Sequence, residues 1–122
     1  MAVITSSSTI DAGSLGRLPT KDGAKVGFGG KKREPVMGDD GVLGYTEHQT
    51  SAPYIKCTLV DSTQNDKAGL LAFAGQTVVL TTNNGQKYSL SNAWVGNGDT
   101  LELNTKEGTM EVEFFGDKLT AL

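Results

Sequence analysis

The stretch Thr77-Val78-Val79-Leu80-Thr81-Thr82-Asn83-Asn84-Gly85-Gln86-Lys87-Tyr88-Ser89-Leu90 decides the fold class. Val78 and Leu80 share one face of an alternating run, and Tyr88, Leu90 and Trp94 share one face of the return run. An apolar period of two marks a half-buried strand. Asn84-Gly85 between them predicts a tight type I′ hairpin, because that turn needs positive φ at both central residues.

The same grammar extends outward. Toward the C-terminus, Gly96-Asn97-Gly98-Asp99 reads as a turn and residues 100–104 alternate through Leu101 and Leu103. Lys106-Glu107-Gly108 turns again, and Thr109–Phe115 alternates through Met110, Val112 and Phe114 with Glu111 and Glu113 outside. Toward the N-terminus, Tyr54–Val60 places Ile55, Cys57 and Leu59 on one face. Between these strands the period changes. Leu70, Leu71, Phe73 and Ala74 form a stripe, Asp61-Ser62-Thr63 offers cap oxygens, and Gly75 is a stop signal. This predicts one flanking helix over residues 64–74, in which Gly69 costs about 1 kcal/mol relative to Ala. Residues 9–19 supply a first strand, Asp22-Gly23 a turn, and Lys25-Val26-Gly27-Phe28 a short strand. Residues 1–12 are expected to include a mobile or extended N-terminus.

Length and composition fit one small domain. The 122 residues are 37% hydrophobic and include 16 glycines. That mix suits short strands and tight turns around a modest core. The fold class is therefore mainly β: a small antiparallel β-sandwich or barrel with one flanking α-helix. The open edges of such a sheet must be covered or paired. The N-terminus lacks the basic and apolar regions of a signal peptide and no segment reaches transmembrane length. This predicts folding in a reducing cytoplasm, with Cys57 a buried thiol.

Residues 30–53 stand apart. They carry Gly41-Val42-Leu43-Gly44-Tyr45-Thr46-Glu47 behind a Gly-rich basic run, and Asp39-Asp40-Gly41 can fold them into a hairpin. Long loops in small domains are usually functional, so these residues are expected to form an arm that docks onto other subunits. The expected contacts are Lys31, Lys32, Arg33, Gly44, Tyr45, Thr46 and Glu47. Charge points the same way. The net charge is -3, but Arg17, Lys21, Lys25, Lys31, Lys32 and Arg33 cluster toward one end. Asp99, Glu102, Glu107, Glu111, Glu113 and Asp117 cluster toward the other. Opposed blocks suit head-to-tail association, since complementary potentials select orientation.

Signs of catalysis are sparse. His48 is the single histidine, lies in a polar run, and belongs to no triad motif. One His and one Cys cannot form a structural zinc site within a chain. Asp39-Asp40 lack the spacing of a calcium loop. Gly27-Phe28-Gly29-Gly30-Lys31-Lys32 fails as a phosphate loop: Lys25 stands where its first glycine belongs, and Lys32 where Ser or Thr belongs. No enzyme, cofactor or metal is predicted.

Taken in order, Gly29-Gly30 with Lys32-Arg33, Val36, Gly38-Asp39, Gly44-Tyr45-Thr46-Glu47, Pro53, Asn84-Gly85-Gln86-Lys87-Tyr88, Asn92-Ala93-Trp94 and Gly108-Thr109 to Phe115-Gly116 carry a resemblance. From about residue 13 to 118 the chain resembles the tail tube proteins of contractile-tailed, Mu-like bacteriophages. The resemblance implies hexameric rings that stack head to tail into a hollow tube, with residues 30–53 as the stacking arm. It implies a tail sheath protein, a tape-measure protein, and baseplate and tail terminator proteins as partners. It also implies DNA passing through the lumen without sequence-specific binding, no membrane partner, and a place in the virion tail after assembly in the host cytoplasm. Two other readings are a tube protein of a contractile injection or type VI secretion machine and a monomeric β-sandwich binding module. A small hydrolase is disfavoured by the missing motifs.

Overall fold

The computed structural model describes residues 2–61 and 67–122. Strands β1 (Ser8–Ala12), β2 (Arg17–Leu18) and β3 (Thr20–Gly27) precede the paired strands β4 (Lys32–Gly38) and β5 (Gly41–His48). After β6 (Tyr54–Val60) comes helix α1 (Lys67–Leu71), then β7 (Gln76–Thr82), β8 (Lys87–Val95), β9 (Leu103–Asn104), β10 (Thr109–Phe115) and β11 (Lys118–Ala121). Antiparallel pairing runs β2-β1-β7-β8-β10-β6-β3, with β11 beside β8 and β9 beside β10, while β4 and β5 pair with each other. The main sheet curls into a nearly closed barrel. Its two ends are consecutive in the chain: Pro19 alone separates β2 from β3, so the chain itself closes one corner.

Alternation fills the barrel as the sequence predicts. Ile55, Cys57 and Leu59 of β6 face inward beside Met110, Val112 and Phe114 of β10, and Val78 and Leu80 of β7 beside Ile10 of β1. Each large apolar side chain so buried contributes roughly 1.5–3 kcal/mol. Leu70 of α1 and Phe73 just beyond it belong to the same core, the Phe73 ring edge-on to Phe114 at 5.4 Å. Residues 62–66, which carry most of the expected helix cap and its first turn, lie outside the described residues. From Lys67 on, the helix closes with a bond from the Ala72 N–H to the Ala68 carbonyl, and Gly75 follows at φ 69°.

Several local readings give way to the structure. The Asn84-Gly85 hairpin is not type I′, because only Gly85 has positive φ. The Gly85 N–H donates to the Thr82 carbonyl and the Thr82 N–H to the Gln86 carbonyl. This three-residue loop ends in a left-handed glycine. Asn83 is recruited elsewhere: its Oδ1 accepts the Ser6 N–H at 3.0 Å and its Nδ2 donates to Ser6 Oγ at 2.8 Å. With Asn84 Nδ2 donating to the Val3 carbonyl at 3.2 Å, the loop ties down the N-terminal segment. That segment runs extended into β1. Asp22-Gly23 forms a bulge within β3 instead of a turn, since the register against β6 shifts between Lys21 and Ala24. Residues 9–19 split into β1, a 3₁₀ turn and β2, and only Leu103–Asn104 of the run expected over residues 100–104 is strand. β11 had no expectation behind it.

The largest departure is in β8. Residues 87–90 and, past a register shift, Ala93 pair with β7, residues 88–91 pair with β11, and Trp94 and Val95 cross to β10. Asn92 sits at the crossing with φ 49°, the single left-handed non-glycine residue among those described. Its side chain is pinned by Asp117: Asn92 Nδ2 donates to Oδ2 at 2.6 Å and Ser91 Oγ to Oδ1 at 2.8 Å. These bonds, Asn92 first, hold the Asp117 carboxyl below its ordinary value. The kink shifts the phase of the strand, so Ala93 enters the core and Trp94 is 41% exposed. A second asparagine spans the gap between β9 and β8 on the edge of β10 away from β6. Asn97 Nδ2 donates to the Glu111 carbonyl at 3.0 Å and its Oδ1 accepts the Glu113 N–H at 3.1 Å. The side-chain amide thus stands in for a strand.

Two outcomes check this packing. Asn92→Ala and Asn92→Gly both lose the Asp117 contact, but only Ala is strained at positive φ. Asn92→Ala should therefore be the less stable by about 1 kcal/mol in urea unfolding; equal stabilities would contradict the kink. Burial pushes the Cys57 thiol up to about 12, so the folded state holds it neutral. Above a pH of about 8.5 the unfolded chain ionises first and stability falls. The stability gap between wild type and Cys57→Val should shift against wild type from pH 8 to 10. Parallel curves would show Cys57 to be in contact with solvent.

Candidate inter-subunit surface

β4 and β5 leave the barrel together and pair only with each other over Lys32↔His48 to Gly38↔Gly41. Asp39-Asp40 makes the turn, as the sequence predicts, with Gly41 at φ 133°. Pro35 lies opposite Tyr45, and the register slips between Val36 and Met37, leaving Leu43 as the extra residue. Two features hold the root. Gly29, at φ 62°, lies so close to Pro53 that a Cβ there would come within 2.7 Å of the Pro53 nitrogen. Gln49 Nε2 donates to the Gly29 carbonyl at 3.0 Å, and the Gly116 N–H donates to the Pro53 carbonyl at 3.2 Å. A glycine is needed at 29 both for its φ and for that approach.

The arm carries every residue expected to make inter-subunit contacts. Near the root, Glu47 gathers two bases: Arg33 Nε at 3.3 Å and Lys31 Nζ at 3.6 Å. Lys32 Nζ pairs with Glu34 at 3.4 Å. The Arg33 guanidinium lies 5.4 Å from the Tyr45 ring centroid, and Thr46 Oγ1 meets His48 Nε2 at 3.2 Å. Gly44 sits opposite Val36. The sequence expectation did not include these internal pairs. Exposed pairs of this kind are worth about 0–1 kcal/mol, too little to hold a free hairpin in one place.

Sequence reasoning missed the apolar end of the arm. Met37 is 63% exposed, Val42 66% and Leu43 76%, with Val36 and Tyr45 also exposed. Among the described residues, no other strand pairs with the two that carry them. The available signal was a pair of strands whose apolar residues do not alternate cleanly with polar ones.

A second feature adjoins the root. A groove of about 360 Å³ runs between residues 5–8 of the N-terminal segment on one side and Ala24, Val26 and Phe28 on the other. Leu80 and Tyr88 form its floor, and the Phe28 ring stands edge-on to Tyr88 at 5.7 Å. Elsewhere Glu102, Glu107, Glu111 and Glu113 line a shallow polar cleft of about 480 Å³. Among the described residues no group of three or more His, Cys, Asp or Glu could hold a metal ion.

This fold recurs in solved structures of tube, sheath–tube and tube-terminating assemblies. One is the sheath/tube terminator of the extracellular contractile injection system PVC in its extended state, at TM-score 0.74 and 9% identity, covering 100% of this chain and 97% of that one. The tube-terminating cap of the anti-feeding prophage matches at TM-score 0.70 and 12% identity, covering 100% and 94%. A chain of the PVC sheath–tube complex in the extended state matches at TM-score 0.69 and 10% identity, covering 100% and 91%. At these identities the likeness is one of fold. No curated protein matches by sequence. The resemblance carried by the order of turns and strands has a direct counterpart at the family level: the sequence matches the phage tail tube proteins over residues 1–121, and the chain belongs to that family.

Proposed function

We infer that this tail tube protein assembles as hexameric rings that stack head to tail into the inner tube of a phage tail, and that DNA passes through the lumen. The observation that carries the reading is the free-standing hairpin, which exposes Met37, Val42 and Leu43 on an arm paired only with itself. A two-stranded hairpin alone in water is marginal at best. Burying one such side chain against a neighbour contributes roughly 1.5–3 kcal/mol, so a second subunit offsets what this one leaves uncovered. Heterologous contacts close into rings or extend into filaments depending on the rotation, and a tube uses both.

In this reading the arm, including Lys31, Lys32, Arg33, Gly44, Tyr45, Thr46 and Glu47, makes the contact between rings. The tail sheath protein covers the outside, the tape-measure protein occupies the lumen during assembly, and baseplate and tail terminator proteins cap the ends. The face around Glu102, Glu107 and Glu111 gives phosphate no foothold, as a wall that DNA slides past requires. The same subunit physics serves a contractile injection machine, the class of assembly to which the fold neighbours belong.

Negative-stain microscopy and size-exclusion chromatography over a concentration series test this. The intact chain should give hollow rings or tubes. A chain with residues 32–48 replaced by a short Gly/Ser link should keep its unfolding transition to within about 1 kcal/mol, yet form no stacks. Tubes that persist without the arm, or an intact chain that stays monomeric at every concentration, would contradict the proposal.

A further inference from the structure

We propose that Asn84-Gly85, in the loop between β7 and β8, is a site of spontaneous chemical modification, where the folded chain converts the Asn84 amide to a carboxylate and so loosens its own N-terminal segment.

The residue pair sets the reaction class. Asn-Gly places a side-chain amide next to a backbone nitrogen whose own residue has no Cβ to obstruct it. The Gly85 nitrogen attacks Asn84 Cγ, the new C–N bond closes a cyclic imide, and the Cγ–Nδ2 bond breaks. Solvent carries the proton lost by the Gly85 nitrogen, and Nδ2 leaves as ammonia. One water then opens the ring at either carbonyl, leaving an aspartyl or isoaspartyl residue.

The chain holds two such pairs, Asn84-Gly85 and Asn97-Gly98, and the fold treats them differently. A Cβ at either glycine would meet no heavy atom within 4 Å among the described residues, so access to the two nitrogens is alike. The asparagine side chains differ. Asn97 is clamped at both ends by the main chain of β10, at Glu111 and Glu113. Its Cγ meets the Gly98 nitrogen only if that clamp leaves the strand. Asn84 Oδ1 instead accepts the hydroxyl of Thr82, which is buried at 7% exposure. The Gln86 N–H donates to Thr82 Oγ1 at 3.1 Å and fixes it. The competing acceptor, the Gln86 carbonyl at 3.2 Å, already takes the Thr82 N–H at 2.9 Å. A hydroxyl aimed at Oδ1 stabilises the negative charge that develops there during attack, as an oxyanion-hole donor does. The Gly85 N–H is held by the Thr82 carbonyl at 3.1 Å, a bond that closes an exposed loop and opens at low cost.

The N-terminal segment hangs on this loop. Asn84 Nδ2 donates to the Val3 carbonyl at 3.2 Å, and that donor departs with the ammonia. The carboxylate left behind repels the carbonyl oxygen. Asn83 still holds Ser6, so the segment loosens from residue 3 outward while β1 stays in the sheet.

Peptide mapping by mass spectrometry, on full-length protein aged in mildly alkaline buffer, tests the site. In the folded chain position 84 should deamidate at least several-fold faster than position 97. In denaturant the two should react at nearly equal rates. Thr82→Val should slow position 84 several-fold, and Thr82→Ser should restore it. Asn84→Asp should be trimmed from its N-terminus by an aminopeptidase several-fold faster than fresh wild type. A folded chain in which position 97 keeps pace with position 84, or a difference that survives denaturation, would overturn the proposal. That comparison needs wild type alone and stands whether or not the Thr82 variants fold. A Thr82→Val rate equal to wild type would overturn the role of the hydroxyl, and unchanged trimming would overturn the release of the segment.

Discussion

A β-hairpin with apolar side chains on both strands and water on both faces is the constraint from which the rest of this molecule follows. Its backbone is satisfied by cross-strand bonds, but Met37, Val42, Leu43 and Tyr45 remain exposed. Internal ion pairs on Glu47 and Glu34 orient its basic root, and pairs of that exposure are worth too little to compensate for uncovered apolar surface. Only a further protein surface can do so. The rest of the fold is a rigid platform that projects this hairpin from a fixed root.

The platform is rigid because its irregularities are each satisfied. β8 serves two parts of the sheet, and the switch costs a left-handed residue that Asn92 accepts and Asp117 pins. On the side away from β6, β10 lacks a strand neighbour over Glu111–Glu113, and the Asn97 amide takes that place. Pro53 is fixed between Gly29 and Gly116. These local solutions set the direction in which the hairpin leaves. The hairpin leaves from one root held by Gly29, Gln49 and Pro53, so its exposed face has a fixed geometry within each copy.

Much of the platform could be read from the chain. Period-two alternation located β6, β7 and β10 and their buried faces, since a side chain on a pleated strand has only two sides to choose from. Turn chemistry located the arm's turn at Asp39-Asp40. The failures have a common cause: a side chain used over long range. The Asn84-Gly85 loop differs from the local expectation because Asn83 and Asn84 bind the N-terminal segment nearly eighty residues away in sequence. Trp94 changed sides because Asn92 answers to Asp117, and β11 forms only because β8 offers an edge. For the candidate surface, basic residues and the Gly-Tyr-Thr-Glu run drew attention to the root and one strand. The apolar tip, whose meaning depends on nothing packing beneath it, required the fold.

The central claim is that a second copy covers the hairpin. Hydrogen–deuterium exchange of residues 32–48, compared between dilute subunit and assembled material, addresses it most directly. The account predicts fast exchange of these amides in the free chain and strong protection on assembly, while β6, β7 and β10 are protected in both states. Equal exchange of the hairpin in the two states would contradict it.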